Sequence, residues 1–355
     1  MKNILILIDS LDSGGAQKQA LMLAKCLDKS HNVVFAVYYG ERIDPAFTNK
    51  LAELNNPPVL LNGNHLKRII TLFSTIKKTK TDILFTYLLL PNLIGSVVGR
   101  LAGVKTIVGG IRNSELDKKK LPIERFIHNH INHFTVYNNF RGRDNLVLRD
   151  FNKNKTRVIP NVFEVDNPEI IRSNKSPVNI LSVGRFTPQK DYFTALKALQ
   201  QLKNGGADFH YTIIGWGEQE NLIRSWINEL GISANVSLVI RPDNINEYYR
   251  QADIFLMTSV FEGLSNAVME AMGFSLPLVV TDVGDNNQLV IENENGFLVN
   301  MGNSILIAEK LALLVSDYNL RIQMGKKSYS RISEKFSRQI FETRYLHLIQ
   351  NDFKA

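Results

Sequence analysis

The chain has 355 residues, a length typical of two domains, and its hydrophobic content of 44% suffices for two cores. No run of 18 apolar residues occurs, which argues against a transmembrane helix, and the single cysteine, Cys26, excludes an internal disulfide. The net charge of +8 arises in residues 1–165, where 24 basic residues outnumber 13 acidic ones. Residues 166–355 contain 18 basic and 21 acidic residues. An anionic partner is therefore predicted for the first half only.

The first half alternates short apolar runs with amphipathic segments. Lys2–Ile8 is interpreted as a buried strand and not as a signal peptide, and Gly14 and Gly15 follow at the start of a helix. These glycines do not have the spacing of the dinucleotide-binding fingerprint, and such a pair can serve a tight turn alone. Further strands are predicted at 33–38, 59–61, 82–87, 105–109 and 134–136. The alternation predicts an α/β fold with a doubly wound parallel sheet, in which ligands bind at the carboxyl ends of the strands.

Two segments of the first half combine basic and apolar residues. Leu66–Lys80 has five Lys and Arg residues and no acid, and Arg112–His133 contains Lys118–Lys120, Arg125 and Phe126. Such segments can lie on an anionic membrane surface, although solvated helix faces explain them equally well. His128, His130 and His133 lack the spacing of a metal site. Since no nucleic-acid motif accompanies the basic residues, a membrane surface is the predicted partner and a nucleic acid is not.

A linker and a second domain follow. Residues 162–177 are polar, lack periodicity and contain two prolines, as a linker does. A strand at 177–183 leads to Gly184 and Arg185, with Lys190 five residues further on. Two fixed cations at a strand-to-helix turn can hold a diphosphate and stabilise the charge that develops as it leaves. The alternative is an ordinary solvent-exposed basic pair.

The stretch Ser259–Asn287 carries most of the functional information. It predicts a strand at 254–257, a loop with Leu264, and a helix at 267–272 with Ser265 or Asn266 as N-cap. A helix N-terminus in that position binds anions, phosphate above all. Glu262 and Glu270 lie eight residues apart, in the loop and on the helix. They suit a phosphorylated ligand with hydroxyl groups, although isolated glutamates are most often surface acids.

The sequence E-G-L-S-N-A-V-M-E-A-M-G from Glu262 to Gly273, followed by L-P-L-V-V-T-D, resembles the donor-site signature of the retaining glycosyltransferases of family four, the glycosyl transferases group 1. The resemblance is dense from Gly184 to Gly296. It implies the GT-B fold, with two Rossmann-like domains facing across a cleft. Residues 1–165 would then bind the acceptor and residues 166–337 the nucleotide sugar, while residues 338–355 would form a helix that packs back on the first domain.

The resemblance also implies residue roles. Glu262 would face the donor sugar, and Arg185 and Lys190 would clamp the diphosphate, so these three are the predicted catalytic residues. Glu270 would hold the ribose, and the base would lie near Arg241, where many relatives have glycine. The predicted donor-binding residues are Gly14, Gly15, Gly184, Gly215, Gly217, Arg241, Leu264, Ser265, Asn266, Ala267 and Glu270.

The chain departs from the family after the fourth strand of the first domain. Relatives commonly carry histidines there, whereas this chain has Phe85, Tyr87 and Leu90 and retains Asn92. Asn92 is predicted to contact the acceptor, together with Arg112, which follows the next strand. No D-x-D motif stands at a strand end, so neither a metal nor another cofactor is predicted.

The resemblance therefore implies a retaining hexosyltransferase, and the basic clamp together with the lack of a D-x-D motif predicts that it is metal-independent. Its donor would be a uridine-diphosphate sugar and its acceptor a glycan, polyprenyl-diphosphate-linked, in bacterial surface polysaccharide assembly. The protein would be cytoplasmic and peripheral on the inner membrane. Two alternatives remain open: a non-hydrolysing UDP-sugar epimerase, and a non-catalytic, membrane-associated partner of a glycan assembly complex.

Overall fold

The computed structural model describes residues 1–12, 15–112, 119–163, 170 and 172–352. The chain divides into two compact units. The first unit contains Met1–Val162 together with Arg338–Ala355, and the second contains Phe163–Ser337. The first unit is therefore built from two separate stretches of sequence.

The first unit is built on a seven-stranded sheet in the order β3-β2-β1-β4-β5-β6-β7, with every pair of neighbours parallel. Its strands are β1 (Asn3–Ile8), β2 (Asn32–Val37), β3 (Val59–Leu60), β4 (Ile83–Tyr87), β5 (Thr106–Ile111), β6 (Phe134–Tyr137) and β7 (Thr156–Val158). Its connecting helices are α1 (Gly15–Leu27), α2 (Pro45–Leu51), α3 (His65–Lys78), α4 (Leu89–Leu101), α5 (Leu121–Phe126) and α6 (Phe140–Val147).

Alternate residues of β1 point into two different cores. Ile4, Ile6 and Ile8 belong to the core that includes α1, whereas Leu5 and Leu7 belong to the core on the opposite face of the sheet. This is the pattern expected of a strand buried on both faces, because successive side chains point to opposite sides.

The second unit has a six-stranded parallel sheet in the order β10-β9-β8-β11-β12-β13. Its strands are β8 (Val178–Val183), β9 (Phe209–Gly215), β10 (Val236–Ile240), β11 (Ile254–Met257), β12 (Leu278–Thr281) and β13 (Gly296–Val299). Its helices are α7 (Tyr192–Asn204), α8 (Glu220–Glu229), α9 (Ile245–Gln251), α10 (Asn266–Gly273), α11 (Asn286–Leu289), α12 (Ser304–Ser316) and α13 (Tyr318–Lys335). The predicted fold class, with two doubly wound parallel sheets, is confirmed.

The last helix, α14 (Arg338–His347), belongs to the first unit. Phe341 and Tyr345 are buried in the same core as α1, and the Tyr345 ring packs edge-on against Phe85 at 5.8 Å. In the described part of the chain, no helix has both the length and the hydropathy needed to span a membrane.

Candidate functional site

Three glycines bring the turns after β8 and β9 into contact. A Cβ on Gly215 would lie 1.9 Å from the Gly184 carbonyl oxygen, and one on Gly217 would lie 2.4 Å from that of Phe186. The Phe186 amide donates to the Trp216 carbonyl at 2.7 Å, which joins the two turns. Only glycine permits this approach at positions 215 and 217, so the predicted residues Gly215 and Gly217 shape the carboxyl edge of the second sheet against the carbonyl of Gly184.

Lys190 and Glu262 form an ion pair across the ends of β8 and β11. The lysine Nζ lies 2.5 Å from Glu262 Oε1, and the side chains are 15% and 11% exposed. Strands β8 and β11 are neighbours, which brings together two residues far apart in sequence. Two residues predicted to be catalytic are thus in direct contact.

Hydrogen bonds between the segments that follow β8 and β11 fix the backbone around this ion pair. The Thr258 hydroxyl donates to the carbonyls of Lys190 and Asp191 at 3.0 and 2.9 Å. The Val260 amide donates to the Gln189 carbonyl at 2.8 Å, and the Gln189 side chain donates to the Phe261 carbonyl at 2.9 Å. The ion pair therefore sits on a preorganised frame.

Helix α10 begins beside Glu262 with an N-cap residue whose side chain does not cap it. The Ser265 hydroxyl is directed at the Met257 sulfur, 3.4 Å away, and makes no hydrogen bond to the first turn of the helix. Ser265 was predicted as a possible N-cap, and it holds that position in backbone terms only. With Leu264 buried and Asn266 and Ala267 half-buried, the first turn of α10 presents backbone N–H groups to an anion.

Glu270 lies one turn inside α10 and is oriented by a residue that sequence reasoning missed. The buried Tyr249 hydroxyl donates to Glu270 Oε2 at 2.9 Å, and its ring stacks on Phe274 with centroids 5.3 Å apart. Burial, followed by the charge of Glu270, raises the pKa of Tyr249 well above its usual range, so this tyrosine remains a donor. The signal in the sequence was weak, because a tyrosine on a short helix is most simply a core residue.

Arg185 and Arg241 are both exposed at the same edge of the sheet. Arg241 adopts a left-handed backbone conformation, with φ of 44°, where a glycine would be unstrained. Its guanidinium lies over the Trp216 ring, 5.1 Å from the centroid. Gly215 and Ile240 are register partners, so Trp216 and Arg241 stand side by side just beyond the strands.

In the first unit, Gly15 begins α1, whereas Gly14 lies outside the described residues. Strand β5 extends to Ile111, two residues further than predicted, so Arg112 directly follows its end. Arg112 is buried, with its guanidinium 4.4 Å from the Tyr87 ring and one nitrogen 3.4 Å from Asn161 Oδ1. Its Nε has no hydrogen-bond partner among the described residues, and no described carboxylate pairs with it. A buried cation in this state can receive an anion.

Asn92 does not have the exposure that its predicted acceptor role requires. Its side chain is buried and uses its whole hydrogen-bonding capacity inside the unit. The amide oxygen accepts from the Thr86 hydroxyl at 2.7 Å and from the Gly110 amide at 3.2 Å. The amide nitrogen donates to the Gly110 carbonyl and to both Glu124 carboxylate oxygens. This geometry gives Asn92 a structural role.

Glu124 is the second residue that the sequence did not single out. It is 3% exposed on α5, and burial raises its pKa to about 7 in spite of the hydrogen bond from Asn92. In the sequence it resembles a surface acid in a basic segment, since its burial depends on α4 and on the strand ends beneath.

In the segment Arg112–His133, residues 113–118, with Lys118, lie outside the described residues, and the described remainder is only partly an exposed basic face. Residues Ile127–Ile131 form a π-helical turn after α5. His128 is buried between the Thr135 hydroxyl and the Asn152 carbonyl, and burial lowers its pKa to about 4. Across the described ranges, no three His, Cys, Asp or Glu side chains are grouped as metal ligands.

The two parallel-sheet units, with the site at the strand ends of the second, define a protein of the GT-B glycosyltransferase fold. The crystal structure of Anabaena Alr3699/HepE in complex with UDP has a TM-score of 0.84, is 18% identical, and matches over 98% of this chain and 99% of that one. At this identity the likeness concerns the fold alone.

Residues 165–331 match the family model described as glycosyl transferases group 1. This match confirms the resemblance found in the sequence, and it covers the second half of the chain. A Haemophilus influenzae relative described as an uncharacterized glycosyltransferase is 33% identical over 47% of this chain, but the match spans only 49% of that protein's length. A Campylobacter jejuni relative is 23% identical over 94% of both chains. Its name is GalNAc-alpha-(1->4)-GalNAc-alpha-(1->3)-diNAcBac-PP-undecaprenol alpha-1,4-N-acetyl-D-galactosaminyltransferase.

Proposed function

We propose that the protein transfers a sugar from a UDP-sugar to a polyprenyl-diphosphate-linked glycan in the assembly of a bacterial surface polysaccharide, with retention of the anomeric configuration and without a metal. The observation that carries the proposal is the grouping of Lys190, Glu262 and the uncapped first turn of α10 on one rigid frame. The match to group 1 glycosyl transferases over the same residues supports it.

Lys190 would exchange partners when the donor binds. In the free protein its charge is balanced by Glu262 at 2.5 Å, so neither ion is left unpaired in a half-buried site. A diphosphate offers the lysine a stronger anion, while Glu262 becomes available to accept hydrogen bonds from the sugar hydroxyls. The first turn of α10 and the exposed Arg185 would add further donors to the phosphates.

The charge on the diphosphate grows as the bond to the sugar breaks. Cations and N–H groups held in place before the reaction stabilise that charge without reorganising. A leaving phosphate oxygen can then take the proton of the acceptor hydroxyl on the face from which it departs, which gives retention. Because Lys190 and Arg185 neutralise the leaving group, this scheme requires no divalent ion.

The nucleotide would extend along the carboxyl edge of the second sheet. Glu270, held by Tyr249, is placed to accept hydrogen bonds from ribose hydroxyls, and the base would lie near Trp216 and Arg241. The UDP complex of the Anabaena structure supports uridine as the nucleoside.

The acceptor is proposed on the chemistry of Arg112. A buried guanidinium cannot lose its proton, so an anion is its natural partner. A diphosphate-linked lipid supplies such an anion, and the undecaprenol-linked substrate in the name of the Campylobacter relative supports this class. With such an acceptor, the protein would act at the cytoplasmic face of the inner membrane.

The test is a panel of nucleoside-diphosphate sugars scored by thermal shift in the presence of a chelator, followed by transfer assays with a short-chain polyprenyl-diphosphate glycan. The expected result is that one UDP-sugar stabilises the wild type, that Arg185→Ala abolishes the shift, and that the same sugar is transferred with its anomeric configuration retained. Donor turnover in the absence of any acceptor would favour an epimerase. No stabilisation by any nucleotide sugar would favour a non-catalytic partner.

A further inference from the structure

Helices α3, α4 and α5 form one layer on the same face of the first sheet. They precede β4, β5 and β6, which follow one another in one direction across the sheet. Right-handed connections running in one direction place their helices on the same face. Contacts between α3 and α4 and between α4 and α5 agree with this arrangement. The outer sides of the three helices therefore form a continuous surface.

This surface carries eight large hydrophobic side chains that are each more than one-third exposed. They are Leu66, Ile70 and Phe73 on α3; Leu93, Val97 and Leu101 on α4; and Ile123 and Phe126 on α5. We call these eight residues the three-helix face. The residues on α3 and α4 follow a spacing of three or four, which places them along one side of each helix.

Helix α4 explains why these side chains point outward. Its inner side consists of small residues packed tightly on the sheet. A Cβ on Gly95 would lie 2.8 Å from the side chains of Leu7 and Thr86, and one on Gly99 would lie 2.6 Å from that of Leu84. With little room for large residues beside these glycines, Leu93, Val97 and Leu101 lie on the outside of α4, whereas an ordinary surface helix presents polar residues there.

The described residues of the second unit form no comparable cluster of exposed large hydrophobic side chains. Its exposed large hydrophobic residues are dispersed over loops, the end of β10, and helices α8 and α12, and they are Trp216, Leu222, Ile240, Val260, Phe261, Met301, Ile305 and Leu313. Isolated exposed apolar residues are ordinary, whereas a contiguous patch marks an interaction surface.

The exposed charged residues carried by α3 and α4 are all basic. Exposed Lys67, Lys77 and Lys78 lie on α3, and Arg100 lies on α4. Neither helix contains an acidic residue, and Glu124, the one acid of α5, is buried. The Lys77 ammonium lies 5.8 Å from the Phe73 ring, so the apolar and cationic groups share the same surface.

We propose that the three-helix face docks the protein onto an anionic lipid bilayer. The apolar side chains enter the boundary between headgroups and acyl chains, and the surrounding lysines bind the anionic headgroups. This docking surface rests on the proposed function in one respect: transfer to a lipid-linked acceptor would require contact with the membrane. The sequence indicated the segments Leu66–Lys80 and Arg112–His133, which contain nearly all of α3 and the whole of α5, and the structure adds α4 as the centre of the surface.

The test uses flotation of the purified full chain with phosphatidylcholine vesicles, with or without phosphatidylglycerol. Ile70→Glu combined with Leu101→Glu is expected to reduce partitioning onto anionic vesicles at least about tenfold. The matched control is Ile305→Glu with Leu313→Glu, at residues of comparable exposure on α12, and it is expected to float as the wild type does.

A second pair of variants tests the charge. Lys77→Gln with Lys78→Gln is expected to weaken binding about 30-fold at low salt, since two cations contribute near the surface. Lys326→Gln with Lys327→Gln, an adjacent exposed pair on α13, is the control with the same loss of charge. Both face variants are expected to keep the thermal shift with the UDP-sugar.

Three outcomes would overturn the proposal: no flotation of the wild type with anionic vesicles, face variants that bind as well as their controls, or a wild-type dimer in sedimentation that dissociates in Ile70→Glu with Leu101→Glu. The last would assign the face to a second copy of the chain. Flotation without sugar transfer would reject the proposed function alone, and transfer to a short-chain acceptor without flotation would reject the docking surface alone.

Discussion

The charged side chains of the two candidate sites are balanced in different ways. In the second unit, Lys190 and Glu262 neutralise each other at 2.5 Å. In the first, Arg112 and Glu124 are buried, and neither has a partner of opposite charge among the described residues. Glu124 can become neutral by binding a proton, since its pKa is about 7, whereas an arginine keeps its charge. A ligand must open the pair in the second unit, but it can complete the charge balance of the first.

The largest expected effect comes from breaking the cation set of the second unit. Arg185→Ala and Lys190→Ala are each expected to lower kcat/KM for sugar transfer by about 10²–10³, because each removes a preorganised charge partner of the leaving group. Lys190→Ala also leaves Glu262 half-buried without its partner. Lys197→Ala, at an exposed position on α7, serves as the control. Unchanged turnover in either site variant would reject the assigned role.

The next effect concerns the frame that holds those cations. Gly215→Ala places a methyl group 1.9 Å from the Gly184 carbonyl oxygen, so the turns must separate at an expected cost of about 3 kcal/mol. The control is Gly205→Ala, whose Cβ would have its nearest contact at 3.4 Å and which is expected to be nearly neutral. The measurement is thermal unfolding, and equal melting temperatures for the two variants would contradict a close-packed frame.

A pH dependence sharpens the contrast in the first unit. The pKa of Glu124 is raised by burial to about 7, so the folded state holds a proton that the unfolded state releases near its ordinary value of 4.5. Stability is therefore lost as the pH rises from the unfolded to the folded pKa. Glu124→Gln is expected to be more stable than wild type by roughly 2–3 kcal/mol above neutral pH, with the difference fading below about pH 4.5. Unfolding followed across this range would detect it; a constant difference would show that Glu124 does not titrate with folding.

Arg112 tests the buried cation that has no carboxylate partner among the described residues. Arg112→Ala is expected to raise the acceptor KM about 30-fold and to leave the donor KM nearly unchanged, because a charge-assisted contact contributes about 2 kcal/mol. Arg125→Ala, on α5, removes a basic residue whose guanidinium pairs with Asp150 at 3.1 Å, and it provides the comparison. Equal changes in the two KM values would remove the acceptor role.

The smallest expected effect concerns Tyr249, which positions a predicted donor contact. Tyr249→Phe removes the hydrogen bond to Glu270 while keeping the stacked ring, so the donor KM is expected to rise about tenfold with little change in kcat. Binding of UDP alone, measured by calorimetry, should weaken by the same factor. A fall in kcat at constant KM would exclude a role through the ribose.

The grouping of the second unit's candidate residues could be predicted from the sequence because its parts are local. Gly184, Lys190 and Glu262 stand at predictable strand-to-helix turns, and parallel strands end at the same edge of a sheet. Their contact required only that β8 and β11 be neighbours. The orientation of Glu270 was not predictable, since it depends on a tyrosine from another helix.

The first unit was harder to interpret for two physical reasons. The π-helical turn at Ile127–Ile131 shifts the helical phase by one residue, so periodicity did not indicate that His128 is buried. In α4, nearly every residue is apolar, and the choice of the buried side was made by the glycines and not by hydrophobicity. The acceptor contact predicted for Asn92 does not fit the structure, because its side-chain amide is already hydrogen-bonded to Thr86, Gly110 and Glu124.

The membership of α14 in the first unit has a consequence for the order of synthesis. Phe341 and Tyr345 fill a core otherwise formed by residues that are translated at the very beginning. A ribosome must therefore make the whole second unit before the first can close its hydrophobic interior. Until then, the nascent first unit exposes an apolar surface beside α1, to which a chaperone can bind. Helix α14 must then displace the chaperone to complete the core.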